Sequence, residues 1–177
     1  MAYEQPSYRV LETTDDYEIR EYGDRLVVQT EADSSSEAFR RLFRYISGHN
    51  TASEKVSMTV PVAQGTKIDM TVPVSEGKSG GSSYMQFFLP HGYSLETAPK
   101  PSDPNVYLEL KPGGEFAVLT YRGRLSWRTF EKKVQSLRNA LEKDGRRFTD
   151  QPIRATYNGP LTPFFLRRNE VMFALEG

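Results

Sequence analysis

Two stretches of the chain alternate apolar and polar residues in nearly the same words. They are Val56-Ser57-Met58-Thr59-Val60-Pro61-Val62 and Ile68-Asp69-Met70-Thr71-Val72-Pro73-Val74. Every second residue is apolar, so each predicts a strand with one buried face. Gln64-Gly65-Thr66 lies between them and predicts the turn of a hairpin. Pro61 and Pro73 lack an amide donor and belong at edges or bulges. The same alternation predicts strands over 17–22, 26–30, 84–89, 106–110, 116–121, 153–157 and 171–175.

Two segments switch to helical spacing. Ser34 and Glu37 have the spacing of a capping box. The apolar residues behind them, Phe39, Leu42, Phe43 and Ile46, predict one buried stripe, and Gly48 a left-handed stop. Ser126 caps a second helix, in which Trp127, Phe130, Val134, Leu137 and Leu141 keep the spacing as far as Gly145. Residues 75–83, rich in Gly and Ser, predict a flexible surface loop.

The order of elements is itself repeated. A turn, a strand, a Gly-stopped helix and two strands occupy 23–74 and again 113–175. Leu26-Val27-Val28-Gln29-Thr30 aligns with Phe116-Ala117-Val118-Leu119-Thr120 at a constant offset. This predicts an α+β protein of two duplicated βαββ units. Their strands join into one distorted antiparallel β-barrel flanked by two helices. Residues 1–16 read as an N-terminal extension and 17–177 as a single domain, with pseudo-repeats at about 17–74 and 84–175.

Composition narrows the function by exclusion. The chain has 177 residues and zero formal net charge, which gives no general attraction to nucleic acid or anionic membranes. Residues 1–99 hold 9 Lys/Arg against 14 Asp/Glu, and residues 100–177 hold 14 against 9, which reads as a solvated basic face on the second half. Cysteine is absent, so thiolate chemistry and Cys-based metal sites are excluded. Two histidines make a multi-His metal site an unfavoured reading. No signal peptide and no apolar run of membrane-spanning length stands out, and the default is a cytoplasmic protein without a membrane span.

No catalytic constellation emerges, and none of the usual nucleophile, zinc or phosphate motifs occurs. His49 and His91 follow turn signals and read as solvated loop residues that do not ligate iron. Met58 and Met70 read as core by their strand phase. The first helix offers one candidate. Phe39 and Phe43 stack a turn apart, with Arg40 and Arg44 about 100° further round. Aromatic rings beside guanidinium groups suit a flat apolar ligand that carries carboxylates. By pattern alone the simpler reading is that the phenylalanines are core and the arginines solvated.

Several short motifs, in order and spacing, resemble the SOUL haem-binding protein family over about 17–175. They are Tyr17-Glu18-Ile19-Arg20-x-Tyr22, Tyr45-Ile46-x-Gly48 and Lys55-Val56-Ser57-Met58-Thr59-x-Pro61-Val62. Further on come Met70-Thr71-x-Pro73-Val74, Leu89-Pro90, Ala98-Pro99-Lys100-Pro101-x-Asp103-Pro104 and Arg167-Arg168-Asn169-Glu170-Val171. The resemblance implies two βαββ repeats in a distorted barrel, a fold similar to the effector-binding domains of some bacterial regulators. It implies haem or another tetrapyrrole as cofactor, held in an open apolar groove by the first helix. It carries the site onto Phe39, Phe43 and Arg44, to which helix geometry adds Arg40. Some members place a proposed iron ligand directly after Tyr-Glu-Ile-Arg, where this chain has Glu21. The expected function is non-catalytic binding, as carrier or buffer, with no metal-ligating residue and no nucleic-acid partner. The alternatives are an effector-type module for another amphipathic small molecule, or an enzyme acting on such a ligand.

Overall fold

The computed structural model describes residues 3–67, 82–159 and 161–177. Within them lie β1 (Tyr8–Thr13), β2 (Glu18–Tyr22), β3 (Arg25–Glu31), α1 (Ser35–Ile46), β4 (Val62–Lys67) and β5 (Ser82–Phe88). Then follow β6 (Val106–Lys111), β7 (Gly114–Arg122), α2 (Trp127–Lys143), β8 (Ile153–Thr156), a 3-10 turn (Phe164–Leu166) and β9 (Arg168–Ala174). A duplicated unit is there, β3-α1-β4-β5 matched by β7-α2-β8-β9, but its bounds are corrected: β5, expected in the second pseudo-repeat, closes the first.

All nine described strands form one antiparallel sheet in the order β1-β2-β7-β9-β8-β4-β5-β3-β6. The two halves meet where β4 pairs β8, with Ala63 opposite Ala155. Outward from that seam the order is the same in both directions. One feature breaks sequence order symmetrically. β2 precedes β3 but pairs with β7 of the other half, and β6 precedes β7 but pairs with β3. The sheet curls into a half-barrel, which brings the β2–β3 and β6–β7 turns together. The Gly113 amide donates to Asp24 Oδ1 at 2.7 Å. A Cβ on Gly113 would sit 2.5 Å from the Tyr22 carbonyl oxygen, so only glycine fits this crossing.

Both helices lie on one face of the sheet. Under α1 are Leu26, Val28, Val62, Met85 and Phe87, and under α2 are Ile19, Ala117, Val171 and Phe173. The opposite face holds smaller clusters around Phe116, Val118, Ala155 and Met172, and around Val27, Ala63 and Phe88.

The hairpin expectation is corrected. Gln64, Gly65 and Thr66 are interior to β4, which begins only at Val62, where the first repeated phrase ends. Gly65 lies opposite Tyr84, whose hydroxyl would be 2.5 Å from an added Cβ. The glycine makes room for a ring and not for a turn. Of residues 56–61 only Thr59 forms a bridge, to Glu4. The second phrase, 68–74, and most of the Gly/Ser-rich segment lie outside the described residues.

Candidate functional site

Helix α1 is built as its sequence requires. Ser34 Oγ accepts the Glu37 amide at 3.2 Å, while the Glu37 carboxylate pairs with Arg41 at 2.6 Å. Gly48, at φ +109°, turns the chain back, and the His49 amide donates to the Arg44 carbonyl at 3.0 Å. The buried stripe, however, is Ala38, Leu42, Tyr45 and Ile46. Phe39 is 41% exposed and Phe43 is 51% exposed. The expected stripe is thus rotated, and the reading of both phenylalanines as core is overturned. Tyr45 takes the inner position because its hydroxyl finds a partner there, the Pro99 carbonyl at 2.5 Å. Burial, with Tyr93 and Glu54 adding to it, pushes the Tyr45 hydroxyl up to about 12.

The displaced rings form a small platform. Phe39 and Phe43 stack at 5.9 Å with 15° between their planes, and Phe39 meets the buried Phe87 edge-on at 5.3 Å. Phe39 is anchored below and open above. Arg40 and Arg44 are exposed, and among the described residues neither makes an ion pair, whereas Arg41 does. The four expected site residues therefore share one accessible face. A flat apolar ligand with carboxylates fits this donor set: rings for the plate, guanidinium groups for the acids.

Among the described residues no group of three or more His, Cys, Asp or Glu side chains could hold a metal. Glu21 is held by Arg9 at 2.8 Å, on a strand at the far end of the sheet from α1. Met58 packs against the α1 core. His91 is exposed, with its amide bound to Glu4. His49 is exposed as well, but it shares a cavity of about 300 Å³ with Arg41, Arg44 and Tyr45, walled by Pro101 and Asp103. The signal that could have found this was Gly48, which folds His49 back over the helix end.

Two other cavities are larger. One, about 400 Å³, lies between the helix N-termini and is lined by Ser34, Gln64, Trp127 and Phe130. Trp127, expected in the α2 stripe, is 54% exposed. Its ring is covered by Arg154 at 4.4 Å. The other, about 950 Å³, opens between Glu4–Ser7, Arg25 and the 88–96 segment. The Arg25 guanidinium there sits over Tyr22, Phe88 and Phe116.

The sequence motifs turn out to join distant parts of the chain. Tyr45-Ile46-x-Gly48 meets the 98–104 motif through the Tyr45–Pro99 bond and the Thr51–Lys100 backbone bond. Arg20 and Glu170, from the first and last motifs, pair at 2.9 Å and are 3% and 0% exposed. Burial lowers the Arg20 pKa, but Glu170, Tyr22 and Glu18 together outweigh it and hold the guanidinium above its ordinary value. Glu170 also binds Arg168 at 2.7 Å and accepts the Tyr157 hydroxyl at 2.6 Å. Burial, then Glu170, raise the Tyr157 pKa. These residues tie the scaffold together, while Phe39 and Phe43 lie outside every motif.

The family model described as SOUL heme-binding protein matches residues 3–174. The chain belongs to the SOUL haem-binding protein family. It is 28% identical to mouse (Mus musculus) heme-binding protein 2, covering 96% of this chain and 85% of that protein. It is 26% identical to heme-binding protein 1 of Xenopus tropicalis, covering 89% and 82%. Among solved structures it superposes on the C-terminal domain of EcmrR with TM-score 0.65 at 11% identity, covering 96% of this chain and 98% of that one. A hydrolase from Listeria innocua gives TM-score 0.61 at 11% identity, over 94% of each chain. At such identities these likenesses concern the fold alone.

Proposed function

We propose that the protein binds haem or another tetrapyrrole without catalysis, as a carrier or buffer, on the open face of α1. The observation that carries this is the parallel, half-exposed Phe39–Phe43 pair, braced by Phe87 and flanked by two arginines with no ion pair among the described residues. A helix that needed those rings for its own packing would bury them. Membership of a haem-binding family supplies the ligand class. Phe39 and Phe43 cover the macrocycle, and Arg40 and Arg44 hold its carboxylates. Binding then comes mainly from apolar burial and does not select for iron.

The test is a titration with haem and with iron-free porphyrin, followed by absorbance and by quenching of Trp127. The two ligands are expected to bind with similar affinity. Phe43→Ala weakens binding at every salt concentration. Arg44→Ala weakens it mainly at low salt, by no more than about 1 kcal/mol, because an exposed pair is screened. If neither substitution changes affinity in a folded protein, the face is not the site. Iron-dependent binding lost on His49→Ala would instead assign an axial ligand in the neighbouring cavity.

A further inference from the structure

The connection from β8 to β9 presents an apolar surface that the proposed ligand face does not use. Leu161 is 97% exposed and Phe165 61%, with Phe164 and Leu166 about half exposed beside them. Leu125, on the neighbouring connection into α2, is also exposed. Single exposed apolar residues need no explanation, but five on two adjacent connections do.

The segment is held in shape by arginines. Arg167 Nε donates to the Thr162 carbonyl at 2.8 Å, and Arg122 Nη1 to the Leu166 carbonyl at 3.3 Å. The Arg124 guanidinium lies over the Phe164 ring at 4.9 Å. The 3-10 turn closes through the Leu166 amide on the Pro163 carbonyl at 2.9 Å. The apolar side chains are thus set outward on a braced turn, with cations at its base.

Charge is segregated here although the whole chain is neutral. Residues 116–130 contain Arg122, Arg124 and Arg128 and no acid, and residues 152–169 contain Arg154, Arg167 and Arg168 and no acid. Arg122, Arg124 and Arg128 are exposed. The first acid after the second stretch, Glu170, is fully buried in its own arginine pairs. Outward apolar side chains beside the exposed Arg122 and Arg124 match the layered chemistry of an anionic bilayer, with acyl chains beneath phosphate groups.

We propose that the Leu161–Leu166 turn, with Arg122 and Arg124 at its base, docks the protein on anionic phospholipid surfaces. Leucine and phenylalanine enter the acyl boundary, and the arginines meet lipid phosphates. The docking is peripheral, and no described helix is long and apolar enough to cross a membrane.

Flotation with two vesicle types tests this: phosphatidylcholine alone, and phosphatidylcholine mixed with phosphatidylglycerol. The protein is expected to float with the mixed vesicles, to ignore the neutral ones, and to detach partly at high salt. Leu161→Ser with Phe165→Ser should reduce bound protein at least about tenfold, since two large apolar side chains no longer reach the bilayer. Both sites are exposed, so an unchanged thermal melt will show that the fold is kept. Arg122→Gln with Arg124→Gln should abolish the preference for phosphatidylglycerol. Absence of binding to mixed vesicles overturns the proposal, as does undiminished binding by the Ser variant. A dimer in sedimentation that the Ser variant dissolves also overturns it, by assigning the turn to a second copy of the chain.

Discussion

The two βαββ halves use one plan, yet their helices treat apolar side chains differently. Helix α2 buries Phe130, Val134, Leu137, Ala140 and Leu141, and leaves only Trp127, at its first turn, in the open. Helix α1 is shorter and buries Ala38, Leu42, Tyr45 and Ile46, but leaves Phe39 and Phe43 outside. The α2 side chains are committed to the core. The α1 helix has a second apolar edge that its own packing does not need. One plan thus yields one helix whose apolar side chains are nearly all spent on the core and one that keeps an apolar edge in water.

The sharpest way to break this contrast is to truncate one phenylalanine from each helix. Phe130→Ala should cost about 3–5 kcal/mol in urea unfolding, because a buried ring leaves a cavity. Phe43→Ala should cost less than about 1 kcal/mol in the same measurement, since its ring is half in water. Equal losses would mean that the two helices play the same role.

The next effect probes what joins the halves. Arg20→Met leaves part of the buried Glu170 charge uncompensated, although Arg168 and Tyr157 still bind it. A loss of about 3 kcal/mol is expected, at the low end for a broken buried pair. An unchanged melt would mean that Arg168 alone satisfies Glu170.

The smallest effect is a pH dependence. Burial pushes the Tyr45, Tyr84 and Tyr107 hydroxyls up to about 12, from an ordinary value of 10.0. Acidic neighbours add to this: Glu54 at Tyr45, Glu109 at Tyr84 and Glu31 at Tyr107. The folded state holds these protons more tightly than the unfolded chain. Their contribution to stability is therefore complete below pH 10 and is lost as pH rises from 10 toward 12. Unfolding midpoints should fall steadily across that window. All three tyrosines lie in the α1 half or on β6 paired to it, so Tyr→Phe variants there should flatten the slope.

Local signals carried much of this architecture. Ser34, Gly48, Ser126 and Gly145 mark the helix ends where the structure has them, because capping is decided within a few residues. Strands likewise form at β2, β3 and β7 where they were expected, although β3 is buried on both faces and does not alternate. Two kinds of information were not local. On α1, residues 38, 39, 42, 43, 45 and 46 are all apolar or aromatic, an arc wider than the sheet can cover. Which edge is covered depends on a hydroxyl partner at Pro99, more than fifty residues away. Gly65 reads as a turn until Tyr84 is opposite it. Alternation also says nothing about partners, so the exchange of β2 and β6 between halves was not legible. The candidate site residues were named by resemblance and helix geometry, and their placement on one open face is new from the structure.

The exchange of β2 and β6 has a consequence for how the chain reaches this state. Glu18 must find Val118, and Leu26 must find Leu110, before either half has its outer strand. A βαββ unit emerging alone from synthesis would lack a neighbour that the other half carries. Pairings of such long sequence separation are slow to form, on the scale of milliseconds to seconds for sheet-rich chains. Folding should therefore appear as a single late event rather than two successive ones. A chain severed between the halves should yield two fragments that stay unstructured apart and recover the native spectrum only when mixed.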